Sequence, residues 1–73
     1  MERYKFNEIF RTNENGTITP MVDIYINGIQ LGKNSISFGP TVTFGGIDFF
    51  MYKDKDMAIE KKGDLYIIKG FFR

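Results

Sequence analysis

Thr17-Ile18-Thr19-Pro20-Met21-Val22-Asp23-Ile24-Tyr25-Ile26-Asn27-Gly28-Ile29-Gln30-Leu31 is the stretch whose reading decides the fold class. Its side chains alternate: Ile18, Val22, Ile24 and Ile26 share one parity, while Thr17, Thr19, Asp23 and Tyr25 share the other. Successive side chains of a strand point to opposite faces, so the alternation predicts a half-buried strand over 17–26. Pro20 falls on the apolar parity and has no N–H to give, which predicts an edge position or a bulge. Asn27-Gly28 then reads as a two-residue type I′ turn, whose central residues both need positive φ. That hairpin sets Ile26 opposite Ile29 and Ile24 opposite Leu31, and a one-residue slip would turn the apolar set outward.

The same period of two runs outward in both directions. Tyr4, Phe6 and Phe10 keep an even phase in a first strand. Glu14-Asn15-Gly16 reads as a three-residue loop with Gly16 at positive φ, placing Phe6 opposite Ile24 and Tyr4 opposite Ile26. Lys61-Lys62-Gly63 reads likewise, with Gly63 last in the loop, Ile59 opposite Leu65 and Met57 opposite Ile67. The eight glycines would each cost about 1 kcal/mol in a helix interior, and no helix is expected.

The middle of the chain admits two readings. Ser35 to Gly46 holds two near copies of one unit, Ser-Ile-Ser-Phe-Gly-Pro and Thr-Val-Thr-Phe-Gly-Gly, preceded by Leu31-Gly32-Lys33-Asn34. The tract resembles the hexapeptide repeats of left-handed β-helix proteins, which implies a short solenoid-like coil over residues 29–50. The other reading is a meander. A Gly39-Pro40-Thr41 loop pairs Phe38 with Val42 and Ile36 with Phe44; a Gly45-Gly46 turn pairs Phe44 with Ile47 and Val42 with Phe49. With the meander, the expected strands are 3–11, 17–26, 29–31, 35–38, 42–44, 47–52, 57–60 and 65–72. The fold class is then all-β, a single small antiparallel meander closed into a barrel or a two-layer sandwich, with the coil as the alternative.

Length fits one domain over residues 1–73, and folding at this size buries only about 60% of the unfolded chain's surface. The chain has no Cys, so neither disulfides nor thiolate metal sites are available, and eight Phe and four Tyr must fill the core. Ten Lys and Arg against nine Asp and Glu give a net charge of +1, with no bulk pull toward a polyanion. Residues 1–7 carry no apolar signal segment, and the longest apolar run, Ile47 to Tyr52, is interrupted by Asp48. No secretory signal or membrane contact is expected, and the absence of Cys favours a cytoplasmic setting.

Catalysis finds little to work with. His, the commonest general base and metal ligand, is absent, and Ser35, Ser37, Thr41 and Thr43 sit where small polar residues suit a pleated strand. Asp54, Asp56 and Glu60 alternate as hard-cation ligands do, but Lys53 and Lys55 interleave them and the glycine of an EF-hand loop is missing. Gly39 to Gly46 leads into no helix and so lacks the setting of a phosphate loop. No catalytic residue, cofactor, metal or small-molecule substrate is inferred, and an enzyme is not expected.

Two binding functions remain. Lys33 is the sole charge from Ile24 through Ile47, in a chain whose thin core invites completion by a second chain. Edge strands ordinarily carry charge or Pro against uncontrolled pairing. The main expectation is therefore a non-catalytic protein-interaction module, self-associating or with another protein, with Ile36, Phe38, Val42, Thr43 and Phe44 as the candidate interface. The alternative is a single-stranded nucleic-acid-binding barrel using Lys53, Lys55, Lys61, Lys62, Lys69 and Arg73. Lys69-Gly70-Phe71-Phe72 is similar to the Lys-Gly-aromatic start of RNP1, although the helices of an RNA-recognition domain have no counterpart here.

Overall fold

The computed structural model describes residues 1–72. Its elements in chain order are β1 (Glu2–Tyr4), α1 (Phe6–Ile9), β2 (Phe10–Thr12), β3 (Ile18–Pro20), β4 (Asp23–Ile26), β5 (Ile29–Leu31), β6 (Thr43–Phe44), β7 (Ile47–Asp48), a 3₁₀ helix (Phe49–Tyr52), β8 (Met57–Lys62) and β9 (Leu65–Phe71). They form a mostly-β domain with three sheets: five strands in the order β1-β8-β9-β4-β5, and two pairs, β2-β3 and β6-β7. No sheet closes into a barrel and none curls into a solenoid; the large sheet ends in two edges, β1 and β5.

The Asn27-Gly28 hairpin forms in the expected register, Ile26 against Ile29 and Ile24 against Leu31. Asn27 and Gly28 lie at φ 47° and 87°, as a type I′ turn requires. The Glu14-Asn15-Gly16 loop also closes as expected, Gly16 at φ 87° and the Asn13 N–H donating to the Thr17 carbonyl at 2.8 Å. Its register holds through Phe10 opposite Pro20 but does not extend to Tyr4 and Phe6.

A helical turn interrupts it there. Phe6, Ile9 and Phe10 stand at i, i+3 and i+4, all three are buried, and one turn of helix seats them together. The Glu8 carboxylate accepts the Lys5 backbone N–H at 2.7 Å and so closes the start of that turn. The strand expected over 3–11 is thereby divided into β1, α1 and β2, and Tyr4 pairs with Met57 rather than Ile26.

The strand expected over 17–26 is divided as well. Beyond Pro20 the Met21 N–H donates to the Ile9 carbonyl, and the Pro20 carbonyl accepts from Asn34, both at 2.8 Å. The chain bends at Met21-Val22, and β3 and β4 enter different sheets.

The all-antiparallel expectation also needs correction, because β4 and β9 run parallel, Tyr25 beside Ile67. Each already has its own antiparallel hairpin partner, and the long connection between them supplies the crossover that parallel neighbours need. The second hairpin turns on two residues, Gly63-Asp64, instead of three, and pairs Lys62 with Leu65. Gly63 keeps its positive φ, 59°, but as the first residue of the turn. This phase brings Ile59 opposite Ile68, and a bulge between Ala58 and Ile59 brings Met57 opposite Phe71. Ile68 is buried while Ile67 stays half-exposed, the reverse of the expected facing.

In the middle segment only the Gly45-Gly46 turn appears as drawn, pairing Phe44 with Ile47. Phe38 does not meet Val42. It bridges Ile18 through two backbone hydrogen bonds of 3.0 Å. The strand expected over 47–52 stops at Asp48, whose carboxylate accepts the Phe50 and Thr41 backbone N–H groups at 3.0 and 3.2 Å and starts the 3₁₀ helix. That turn drives Phe49 into the centre of the core, with ring centroids 5.0 Å from Phe10, 5.9 Å from Phe38 and 6.2 Å from Phe71. The buried core holds four Phe (Phe6, Phe10, Phe38 and Phe49) among six Ile, Leu31 and Met57, and no Tyr, so it is more aliphatic than the composition led one to expect.

Candidate functional site

The two edges of the five-stranded sheet are built from opposite chemistry. β1 is Glu2-Arg3-Tyr4, and each of its side chains is engaged. The Arg3 guanidinium donates to the Asp56 carboxylate at 2.6 Å and lies 4.2 Å over the Phe72 ring. The Tyr4 hydroxyl donates to the Glu2 carboxylate at 2.6 Å and its ring packs edge-on against Tyr66. That hydrogen bond, with some desolvation and the Glu2 charge, pushes the Tyr4 phenol up to about 12.

β5 is Ile29-Gln30-Leu31 and carries no charge. A two-residue turn makes its flanking residues, Ile26 and Ile29, a hydrogen-bonded pair. The alternation then makes Ile24 and Leu31 the next such pair and leaves Gln30 opposite Tyr25 in between. The Gln30 N–H and carbonyl therefore point away from β4, along the free side of the sheet. Gln30 is exposed, and Ile29, on the core-facing side, remains 38% exposed because no strand lies beyond it. Gly32 continues past β5 beside β4, where the Asp23 carboxylate accepts the Lys33 backbone N–H at 2.7 Å. The Gly45-Gly46 turn braces the other end: the Asn27 side-chain amide donates to the Gly45 carbonyl at 3.0 Å.

The candidate interface read from the sequence is divided by the fold. Phe38 is buried in the core and Phe44 packs against it, ring centroids 4.8 Å apart. Ile36, Val42 and Thr43 face outward. Among the described residues, four exposed large apolar side chains, Tyr25, Ile29, Ile36 and Val42, belong to the stretch in which Lys33 is the sole charge, while Met1, Met51 and Phe72 lie outside it. The edge at Gln30 lies in that stretch as well, and its sequence signal was the absence of charge. What the sequence left out of sight was that 29–31 would be the last strand of its sheet.

Two of the four hydroxyls weighed for catalysis, those of Ser35 and Ser37, have hydrogen-bond partners. Ser35 donates to the Gly32 carbonyl at 2.6 Å, and Ser37 shares a 2.6 Å hydrogen bond with the buried Thr19, which also accepts from Asn13. Of the three carboxylates weighed as metal ligands, Asp56 is held by Arg3, and the described residues contain no group of three or more Asp, Glu, His or Cys arranged to hold a metal. The cations of the nucleic-acid reading are dispersed. Lys61 lies 4.8 Å over the Tyr66 ring, Lys53 lies 5.8 Å from the Phe50 ring, and alternation places Lys62 and Lys69 on the face opposite Lys61. Arg73 lies outside the described residues. A shallow cleft of about 290 Å³ lies between Met51, Tyr52, Lys55 and Phe72, where the sequence pattern predicts a strand over 47–52 and no cleft. The 3₁₀ helix turns Met51 outward to 75% exposure. No helix among the described residues is long and apolar enough to cross a membrane.

The chain matches no protein-family model, and neither the curated proteins nor the solved structures give a match. The functional reading therefore rests on the edge itself.

Proposed function

We propose that this chain is a non-catalytic β module that binds protein by accepting an incoming strand along β5. The observation that carries the reading is the unguarded edge: an outward-facing Gln30 peptide, an exposed Ile29 beside it, and no charge on the strand. Strand addition draws affinity from main-chain hydrogen bonds and selectivity from alternate side chains, and β5 offers both. A cysteine-free chain suits the cytoplasm as the place of that encounter. Single-stranded nucleic acid is the weaker alternative, because such binding needs cations and stacking aromatics along one groove and here the lysines divide between faces.

Because the chain has no Cys, a single introduced thiol carries a photo-crosslinker to one defined place. Gln30→Cys is expected to give adducts to a protein chain, and Thr43→Cys is expected to give none. Adducts from Thr43 and not from Gln30 would move the contact to the middle segment and overturn the edge reading. Retention on heparin or single-stranded DNA is expected to be negligible at all salt concentrations, and steeply salt-dependent binding would favour the alternative.

A further inference from the structure

We infer that the strand received by β5 is β5 of a second copy of this chain, paired antiparallel about a two-fold axis at Gln30. The inference rests on the edge reading above and adds the identity of the occupant. Its first support is the symmetry of the edge sequence. Gly28-Ile29-Gln30-Leu31-Gly32 reads glycine, aliphatic, Gln, aliphatic, glycine in either direction. A two-fold antiparallel arrangement sets Gln30 against Gln30 of the partner subunit, and Ile29 against Leu31 of the partner subunit. An edge that complements itself in this way is what an isologous interface requires.

The hydrogen-bond phase selects the same axis. Ile29 and Leu31 direct their main-chain groups to Ile26 and Ile24, so Gln30 is the residue of β5 whose N–H and carbonyl face outward. Two such residues placed opposite one another form a hydrogen-bonded pair, each N–H donating to the other carbonyl. The Gln30 side chains then share the Tyr25 side of the sheet, where a carboxamide supplies both donor and acceptor to its twin. On the other side, the exposed Ile29 gains an aliphatic neighbour in place of water.

Charge favours this pairing and its direction. The chain is close to neutral, so two copies repel weakly, and Lys33 is the first charge beyond the strand. Antiparallel pairing places the two Lys33 residues at opposite ends of the contact, whereas parallel pairing would set them side by side. The two five-stranded sheets would then run on as one sheet of ten. A contact three residues long belongs to the small, weak class of interfaces, so the association is expected in the micromolar range or above.

Sedimentation equilibrium up to several hundred micromolar tests it with four proteins. The parent is expected to dimerise. Gln30→Pro removes an N–H that β4 does not use, a position where edge strands tolerate proline. It is expected to keep the parent's circular dichroism and to weaken the dimer at least about tenfold through the lost main-chain hydrogen bonds. Gln30→Lys and Gln30→Glu are each expected to weaken it at low salt, and their equimolar mixture is expected to restore dimer, because residue 30 faces residue 30. A parent that stays monomeric while the Gln30 crosslinker captures a different chain would overturn the second copy and leave strand acceptance standing. A parent dimer indifferent to all three substitutions would place the dimer contact away from β5 and overturn the second copy there.

Discussion

β1 and β5 close the two sides of one sheet, and the sheet treats them differently. β1 is short, charged and tied down, with Arg3 held between Asp56 and Phe72 and Tyr4 held to Glu2. β5 is equally short, carries no charge, and is steadied at its turn by the Gly45 carbonyl on Asn27. Charged side chains on an edge deter pairing, because an incoming strand must desolvate them; a bare edge has no such barrier. A second chain therefore meets less resistance at β5 than at β1, and net charge alone carries no sign of this. The ten cations and nine anions nearly cancel over the chain, but they are spread unevenly along it.

The comparison presupposes one core beneath both edges, and Phe49 is the residue that tests this. Fully buried, it touches aromatic rings from β2, the middle segment and β9. Phe49→Ala is expected to cost about 3–5 kcal/mol in urea titration, a large share of the stability available to so small a domain. Amide exchange should rise in β4–β5 and β1–β8 together. Loss of protection confined to residues 43–56 would show that the edges stand on independent supports.

A smaller contrast lies in two turn glycines, Gly45 against the β4–β5 hairpin and Gly63 between β8 and β9. Gly45 sits at φ 57°, and a Cβ there would lie 2.8 Å from the Asn27 Cβ and 3.1 Å from the Ile26 carbonyl oxygen. Gly63 sits at φ 59° with nothing within 4 Å of the same atom. Gly63→Ala is expected to cost about 1 kcal/mol, the left-handed backbone alone. Gly45→Ala adds a collision with the hairpin that carries β5 and is expected to cost about 2 kcal/mol or more. Equal costs in urea titration would mean that the Gly45 turn gives way freely and does not brace the β5 side.

How much of this was legible in the sequence follows from the range of each signal. Turn chemistry is local, and Asn27-Gly28, Gly16 and Gly45-Gly46 all turn where they were expected to. Period two is local as well, but it does not say where a strand stops. The stops came from contacts between distant segments: Asn34 on the Pro20 carbonyl, Ile9 taking the Met21 N–H, and the Asp48 carboxylate reaching Thr41. The i, i+3, i+4 spacing of Phe6, Ile9 and Phe10 was present in the sequence, but one turn of helix is too short to stand out against the even phase of Tyr4, Phe6 and Phe10. The lack of charge around Gln30 was legible. Its place at the edge was not, because strand order depends on the parallel joining of β4 to β9.

The smallest expected effect concerns the guarded edge and is read by pH. Tyr4 keeps its proton in the folded chain up to about pH 12, against 10.0 for an unperturbed phenol, because its hydroxyl donates to the Glu2 carboxylate. A group whose folded pKa is raised adds stability that is fully present below the unfolded pKa and is lost as pH rises through the folded one. The Tyr4 contribution should therefore hold below pH 10 and fade between pH 10 and about 12. Urea midpoints of the parent should fall across that window more steeply than those of Tyr4→Phe, which has no proton to lose. The absorbance titration of the parent minus that of Tyr4→Phe isolates the one phenol, and Glu2→Gln should return its midpoint toward 10. A difference titration centred near 10 in the parent would mean that Glu2 does not hold Tyr4, and β1 would then lose one of the two ties that set it apart from β5.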